Sequence, residues 1–399
     1  MDLFHEQPMF QAVRQMLGAF AKQAMRPIAI HHDREESMPW DLMKSAQGFG
    51  LTQTSVLDGR KKLTGADEDP DPAKPKTQAR LSVIGSEELA YGCAGISLAL
   101  AGSGLAASPV ARMGTDEQKE EFRRLLKGTD EHGHIKVAAM ALSEPATGSD
   151  ISGLTTTATR DGDHFIIRGS KQWITNGQSA AVYVVWAQTE PAAGRAGVRG
   201  FIVARGTPGL VPGKKETKLG IRASETAQVH FEDVRVHEDM MLASGGGLAD
   251  TKKMLDGTRP AVGAQAVGIA RAAYEFVLER VRGGTLHGTP MASHQHIMFE
   301  LAEMQMEITA SRMLCHRAAW LADHHLENVV EASMAKAHGA RTVQHVTTRA
   351  MALLGEEALE PGHPVEKWYR DAKIYDIFEG TGQIQRRIIA KHLTGQNPT

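Results

Sequence analysis

Tyr369-Arg-Asp-Ala-Lys-Ile-Tyr-Asp-Ile-Phe-Glu-Gly-Thr-Gly-Gln-Ile-Gln385 sets one carboxylate, Glu379, directly before a glycine and a hydroxyl, Gly380 and Thr381. Ile374, Ile377, Phe378 and Ile384 are the apolar residues around it. A carboxyl in apolar surroundings has a raised pKa, which suits a base that must remove a weakly acidic carbon-bound proton. Gly380 lets a ligand approach the backbone closely. Taken alone, the stretch fits a helix end with an ordinary exposed Glu equally well. The rest of the chain decides.

Working back from it, residues 245–399 carry long helical periodicity. Ala-rich segments at 259–282, 294–323, 329–355 and 365–393 predict about four helices in a bundle. Residues 134–244 differ. His164-Phe-Ile-Ile-Arg168, Ala181-Val-Tyr-Val-Val-Trp186, Gly200-Phe-Ile-Val-Ala204 and Gln228-Val-His-Phe231 are short strand-like runs. Turns such as Asp161-Gly-Asp163, Asn176-Gly177 and Pro208-Gly209 separate them, as an antiparallel β domain requires. Residues 1–133 are helical again. Met9, Val13, Met16, Leu17, Phe20 and Ala24 predict an amphipathic helix stopped near Pro27. Thr115-Asp-Glu-Gln118 reads as a capping box opening a helix through Phe122 and Leu126. The polar stretch from Asp58 to Gln78 cannot bury a core and reads as a mobile surface loop. No internal repeat is evident.

Composition narrows the function classes. A chain of 399 residues has material for two or three domains. A formal net charge of −2 with 23% charged residues gives no electrostatic footprint for nucleic acid or an anionic membrane surface. Two cysteines, Cys93 and Cys315, build no disulfide framework and fit a reducing compartment. No run reads as membrane-spanning and the start lacks a signal peptide, so the expectation is a soluble cytoplasmic protein.

The order helices, β domain, helices, ending in Phe-Glu-Gly-Thr, resembles the acyl-CoA dehydrogenase family of flavoproteins, particularly its medium-chain branch. The likeness runs along nearly the whole chain. Ser86-Glu-Glu-Leu-Ala-Tyr-Gly-Cys-Ala-Gly95 is similar to the family's first-domain helix signature. Ala141-Leu-Ser-Glu-Pro-Ala-Thr-Gly-Ser-Asp150 is similar to the signature that opens the β domain, and Lys171-Gln-Trp-Ile-Thr-Asn176 to its flavin-facing strand. Lys218-Leu-Gly-Ile-Arg-Ala-Ser-Glu-Thr226 and Phe231-Glu-Asp-Val-Arg-Val236 follow in the expected order. The implied fold is α+β and multidomain: an N-terminal α-helical domain (1–133), a middle antiparallel β-barrel domain (134–244) and a C-terminal four-helix bundle (245–399).

The resemblance implies an FAD-dependent enzyme that passes the α-proton of an acyl-CoA thioester to a Glu and the β-hydride to flavin N5. The product is a trans-2-enoyl-CoA. Glu379 stands at the base position. Some branches place the base just before the bundle's first Arg, but that residue is Thr258 here, before Arg259, and a hydroxyl cannot replace a carboxylate. The backbone N–H of Glu379 would polarise the thioester carbonyl. Met140, Leu142 and Ser143 would face the isoalloxazine, and Ser149 would meet the pyrophosphate. Trp173 would lie against the ring system and Thr175 near N5, with Thr381 and Gln383 touching the cofactor from the bundle side. Arg259 would meet the CoA portion or make an interhelical contact. Gly380 adjoins the substrate, and Leu98, with Leu100, would line the distal acyl pocket. Electron-transferring flavoprotein as acceptor and a homotetramer built as a dimer of dimers complete what the resemblance implies.

The chain also departs from the family pattern. The Arg and Phe of an Arg-x-x-Phe-Gly motif, which hold the adenosine half of FAD across a subunit boundary, fall on Gly284 and His287. Gln-x-x-Gly-Gly-x-Gly-Phe becomes Ala352-Leu-Leu-Gly-Glu-Glu-Ala-Leu359, bringing Glu356 and Glu357 where phosphates would lie. Losing a guanidinium and adding carboxylates both weaken anion binding. A second reading therefore stays open: a divergent acyl-CoA-binding member or partner subunit without dehydrogenase activity, or a different acyl-CoA reaction. Gly102-Ser-Gly-Leu-Ala-Ala107 matches a dinucleotide G-x-G-x-x-A pattern, but Glu120 and Glu121 belong to the capped helix, so the nicotinamide reading is discarded. The clusters His31-His32, His132/His134, His294/His296 and His324-His325 lack chelating spacing, so no metal is expected.

Overall fold

The computed structural model describes residues 8–48, 75–242 and 248–396, with only the backbone described at 248–256. The polar stretch expected to form a mobile loop lies almost wholly outside the described residues. Helix α1 (Pro8–Phe20) does not stop near Pro27 as the sequence predicts. A π-helical turn (Ala21–Met25) follows, in which the Arg26 N–H reaches back to the Ala21 carbonyl, and the chain resumes as α2 (Arg26–Arg34). Proline in a regular helix would lose a hydrogen bond and collide with the preceding turn. The widened turn places Pro27 in the first turn of a new helix, where it is tolerated.

Helices α3 (Trp40–Gly48), α4 (Gln78–Gly92), α5 (Ala94–Met113) and α6 (Asp116–Leu126) complete the N-terminal region. The capping box forms as read: Gln118 N–H donates to Thr115 Oγ1 at 3.2 Å, and Thr115 N–H donates to Gln118 Oε1 at 3.0 Å. Gln118 Nε2 also donates to the carbonyls of Asp239 and Met241, which ties α6 to the end of the sheet. Contrary to the sequence expectation, α5 is long and apolar enough to cross a membrane by length and composition. It serves instead as a core helix, with 67% of that window buried inside the protein. The G-x-G-x-x-A text lies within it.

Seven strands follow: β1 (Val137–Ala141), β2 (Thr157–Asp161), β3 (His164–Thr175), β4 (Ala180–Gln188), β5 (Val198–Ala204), β6 (Leu210–Lys215) and β7 (Thr226–His237). All four strand runs read from sequence are present. The expected antiparallel barrel is not: the order is β1-β4-β2-β3-β7-β6 with β5 on β4, and among the described residues no ladder closes it. The sheet is also mixed, since β1 and β4 pair in parallel. Pro212 and Gly213 in β6 account for the open end, because proline lacks a ladder donor and belongs on an edge strand. Side chains of β4 alternate between two cores. Val182, Val184 and Trp186 pack with α5 and α6 residues such as Val110 and Phe122. Tyr183 and Val185 pack with Phe165, Phe201 and Val229.

The C-terminal region holds α7 (Leu248–Gly283), α8 (Gln295–Asp323), α9 (Val329–Leu354), α10 (Pro364–Ala372) and α11 (Gly382–Thr394). The single helix expected over 365–393 is therefore two. A 3-10 turn (Lys373–Asp376) and two successive positive-φ residues, Glu379 at 55° and Gly380 at 90°, separate them. Right-handed helix cannot pass through that conformation. The break falls on the residues proposed for chemistry.

Candidate active site

Glu379 sits in that break with a backbone conformation rare for a side-chain-bearing residue, which must be over-determined by its surroundings. Gln385 Nε2 donates to the carbonyls of both Glu379 (3.2 Å) and Gly380 (3.0 Å), and Lys336 Nζ donates to the Gly380 carbonyl at 2.7 Å. Lys336 on α9 and Gln385 on α11 are both fully buried. The Glu379 residue keeps some solvent access, while its carboxyl end lies in dense surroundings. Thr258 Oγ1 donates to Glu379 Oε2 at 3.0 Å. Burial pushes the carboxyl above its ordinary range; the Thr258 hydroxyl, Arg259 and Lys336 pull the other way. Thr258, where the resemblance would place a base in another branch, here donates to the Glu379 carboxylate.

The residues that the resemblance places against the cofactor ring lie on the sheet. Met140 lies in β1 and is half-buried; Leu142 is buried and Ser143 half-buried just beyond it. The Gln172 N–H donates to the Ser143 carbonyl at 2.9 Å, which locks this segment to β3. Next to Gln172, Trp173 has φ 57° and is 53% exposed, an indole held out from the strand rather than tucked into a core. Thr175 is half-buried where α5 meets β3. A Cβ on Gly102 would stand 2.9 Å from Thr175 Cγ2, so only glycine permits this approach. Beneath, the buried Glu144 carboxylate accepts from Lys171 Nζ (2.8 Å), from the backbone and hydroxyl of Thr155, and from the Thr156 N–H. Burial alone would raise the Glu144 carboxyl, but these donors outweigh it and bring it down to about 2. Burial brings Lys171 down to about 8 against the pull of Glu144.

Other expected residues scatter more. Ser149 is exposed on a turn whose Gly148 borders open space, and the nearby Thr147 hydroxyl is buried without a partner. Thr381 caps α11, accepting from the Ile384 N–H at 3.3 Å, and Gln383 is exposed in its first turn. Leu98 is half-buried against the bundle core, the same cluster that Ile374 and Phe378 border. Arg259 is only 4% exposed, and its Nη1 lies 3.4 Å from Ser333 Oγ. That places it inside the bundle, facing Ser333 and Glu379.

These residues fit FAD on one half of the molecule. An exposed indole in β3, hydrogen-bonded through Gln172 to the Ser143 segment, suits a flat ring, and an open Gly-Ser turn with an orphaned buried hydroxyl suits a phosphate-bearing tail. The divergent half is organised differently. Arg280 Nε lies 3.4 Å from Glu357 Oε2, and His363 Nε2 lies 3.9 Å from Glu357 Oε1. A Cβ on Gly284 would meet the Arg280 carbonyl at 2.6 Å. Lys336, Gln385, Glu144 and Lys171 were not singled out from sequence, since nothing in a helix or strand pattern marks them. Among the described residues, no group of three or more His, Cys, Asp or Glu is placed to hold a metal ion.

Comparison with known proteins matches three family profiles in order: acyl-CoA dehydrogenase N-terminal domain over residues 7–128, middle domain over 139–234, and C-terminal domain over 245–394. The mitochondrial short-chain specific acyl-CoA dehydrogenase of Bos taurus is 36% identical over 385 residues, 96% of this chain and 89% of that protein. Butyryl-CoA dehydrogenase from Megasphaera elsdenii superposes with a TM-score of 0.87 at 32% identity, covering 98% of this chain and 99% of that one. A chain from a structure described as the electron transferring flavoprotein of Acidaminococcus fermentans gives a TM-score of 0.88 at 30% identity, covering 98% and 100%.

Proposed function

The chain belongs to the acyl-CoA dehydrogenase family, an FAD-dependent group of oxidoreductases, and from that premise we propose that it desaturates a short-chain acyl-CoA with Glu379 as base. One observation carries the reading: a lone carboxylate, raised by burial, sits in a strained turn whose two carbonyls are pinned by buried side chains. That is the arrangement a general base near neutral pH requires. The thioester acidifies the α C–H. A Glu379 carboxylate oxygen takes that proton as the α-carbon's bonding pair forms the new double bond, and the β-hydrogen leaves with its electron pair. When bound, FAD supplies the acceptor for that hydride. The product is the trans-2-enoyl-CoA.

The remaining residues position and exclude. The Glu379 N–H polarises the thioester carbonyl, most strongly as negative charge develops on it. Trp173, Met140, Leu142, Ser143 and Thr175 would hold the cofactor ring, Ser149 its pyrophosphate, and Thr381 and Gln383 would approach from the bundle. Leu98 closes the acyl end with an apolar wall. A short chain is supported by the likeness to a short-chain specific bovine relative and to the Megasphaera butyryl-CoA dehydrogenase. Electron-transferring flavoprotein is the acceptor this reading assigns, supported by the likeness to a chain from the Acidaminococcus electron transferring flavoprotein structure.

The test is the visible spectrum of the purified protein under anaerobic conditions, with acyl-CoAs of increasing length added. Bleaching of the flavin by butyryl-CoA, fading with longer chains and reversed by electron-transferring flavoprotein, is the expected result. Bleaching only by long or branched acyl-CoAs would overturn the short-chain assignment. The pairing of Glu357 with Arg280 and His363 favours one alternative, an acyl-CoA-binding member that has lost the cofactor. A protein that stays colourless after incubation with FAD would establish that alternative instead.

A further inference from the structure

Lys336 has no solvent-exposed surface, yet it is a lysine in the interior of α9 beside the site. Taking an ammonium out of water costs several kcal/mol unless nearby groups compensate. Its partners identify what compensates. Nζ donates to the Gly380 carbonyl at 2.7 Å, and the charges acting on it are Asp376, Glu379 and Arg259. All but Arg259 lie within the break between α10 and α11. The turn it holds contains two consecutive positive-φ residues, Glu379 and Gly380, and Gln385 supplies the other two bonds to it. One buried cation thus both grips the backbone of the turn and faces its carboxylate.

We propose that Lys336 is the positioning residue of this site. Its ammonium clamps the Gly380 carbonyl to keep the Glu379–Gly380 turn in its left-handed shape, and its charge stabilises Glu379 as a carboxylate at working pH. The inference rests on the reading of Glu379 as base. The charged and titratable groups around it come from every packed element: Arg259 from α7, Lys336 from α9, Asp376 from the 3-10 turn, and Arg386 from α11, whose Nη1 donates to the Gly382 carbonyl at 2.9 Å. Thr258 adds a hydroxyl from α7. Of these cations, Lys336 is the one hydrogen-bonded to the Gly380 carbonyl. Burial brings its ammonium down to about 8, with Asp376 and Glu379 resisting and Arg259 assisting. Its charge therefore fades at moderately alkaline pH.

The experiment is the pH dependence of flavin reduction by butyryl-CoA in the holoenzyme, for wild type, K336M and K336R. K336M removes donor and charge, so the acid limb set by Glu379 moves up by about one pH unit and the reduction rate at neutral pH falls about tenfold or more. Binding of butyryl-CoA changes little. K336R keeps its charge at every accessible pH and restores most of the rate; it also lacks the alkaline limb expected of wild type as Lys336 loses its charge near pH 8. An acid limb that stays in place in K336M, with only lowered stability, would assign Lys336 to folding and overturn the proposal. Should K336M not fold, identical alkaline limbs in wild type and K336R would overturn it equally. Wild-type flavin that butyryl-CoA and other acyl-CoAs leave unbleached would fail the functional reading itself, a separate result.

Discussion

At the residue scale the site turns on how one carboxylate is kept poised. Burial raises Glu379, while a hydroxyl and two cations restrain the rise, so its working range is a balance between burial and contacts. Thr258 is the contact most easily removed. A hydrogen bond to a charged group contributes about 1.5–3 kcal/mol, so Thr258→Val should raise the pKa of the base by about one unit or more. Because the proposed base, Glu379, would work ionised, the acid limb of flavin reduction then shifts to higher pH with the alkaline side unchanged. An unshifted profile would show that the 3.0 Å contact adds nothing to the ionised form. Glu379, Gly380 and Thr381 were legible because they are contiguous and their order is informative. Lys336 and Gln385 were not. One is 43 residues away in a helix pattern, the other a glutamine in a helix turn, and neither periodicity nor composition reports which backbone carbonyl a side chain will reach.

At the element scale the misreadings share a cause: local pattern predicts where a helix or strand wants to form, and tertiary contact decides how it ends. Pro27 signals a stop, but a π turn absorbs it and α2 continues to pack. Residues 365–393 have helical periodicity throughout, yet the clamp on Gly380 interrupts them. Short strands were legible from alternation and turn residues; closure of the sheet was not, because pairing partners lie far apart in sequence. The helices are also joined by buried charge. Glu87 on α4 is 1% exposed and meets Arg312 of α8 at 2.9 Å and Arg271 of α7 at 2.7 Å, with Arg14 of α1 at 3.9 Å. Burial raises its carboxyl, but Arg312, then Arg271 and Arg14, outweigh that and bring it to about 2. A depressed folded value means stability present above the ordinary carboxylate range and lost as pH falls from about 4.5 towards 2. Glu87→Gln removes the carboxylate that faces Arg312, while Glu88 still pairs with Arg271 (2.7 Å) and Arg14 (3.1 Å), and should cost about 3 kcal/mol in urea unfolding at neutral pH, with a smaller further loss on acidification. A variant as stable as wild type at both pH values would remove this network from the account.

At the scale of the whole molecule, the proposed site draws on three regions. The β1–β3 wall supplies an exposed indole and backbone, α5 approaches it through Gly102, and the bundle brings Glu379 with its clamp. That division explains what sequence revealed. Each signature segment was readable in its own region, and their order gave the family; the geometry between regions, including the buried position of Arg259, required the folded chain. On the proposed reading the same division separates binding from chemistry: cofactor and acyl-CoA would rest on surfaces from several elements, whereas proton removal would rest on one carboxylate. The most direct measurement is therefore anaerobic titration of Glu379→Gln with butyryl-CoA, following the flavin spectrum beside wild type. The variant is expected still to bind butyryl-CoA, seen as a perturbed flavin band, while reduction slows by about a hundredfold to ten-thousandfold. Bleaching of the Glu379→Gln flavin at the wild-type rate would contradict this, and would move the base to another residue.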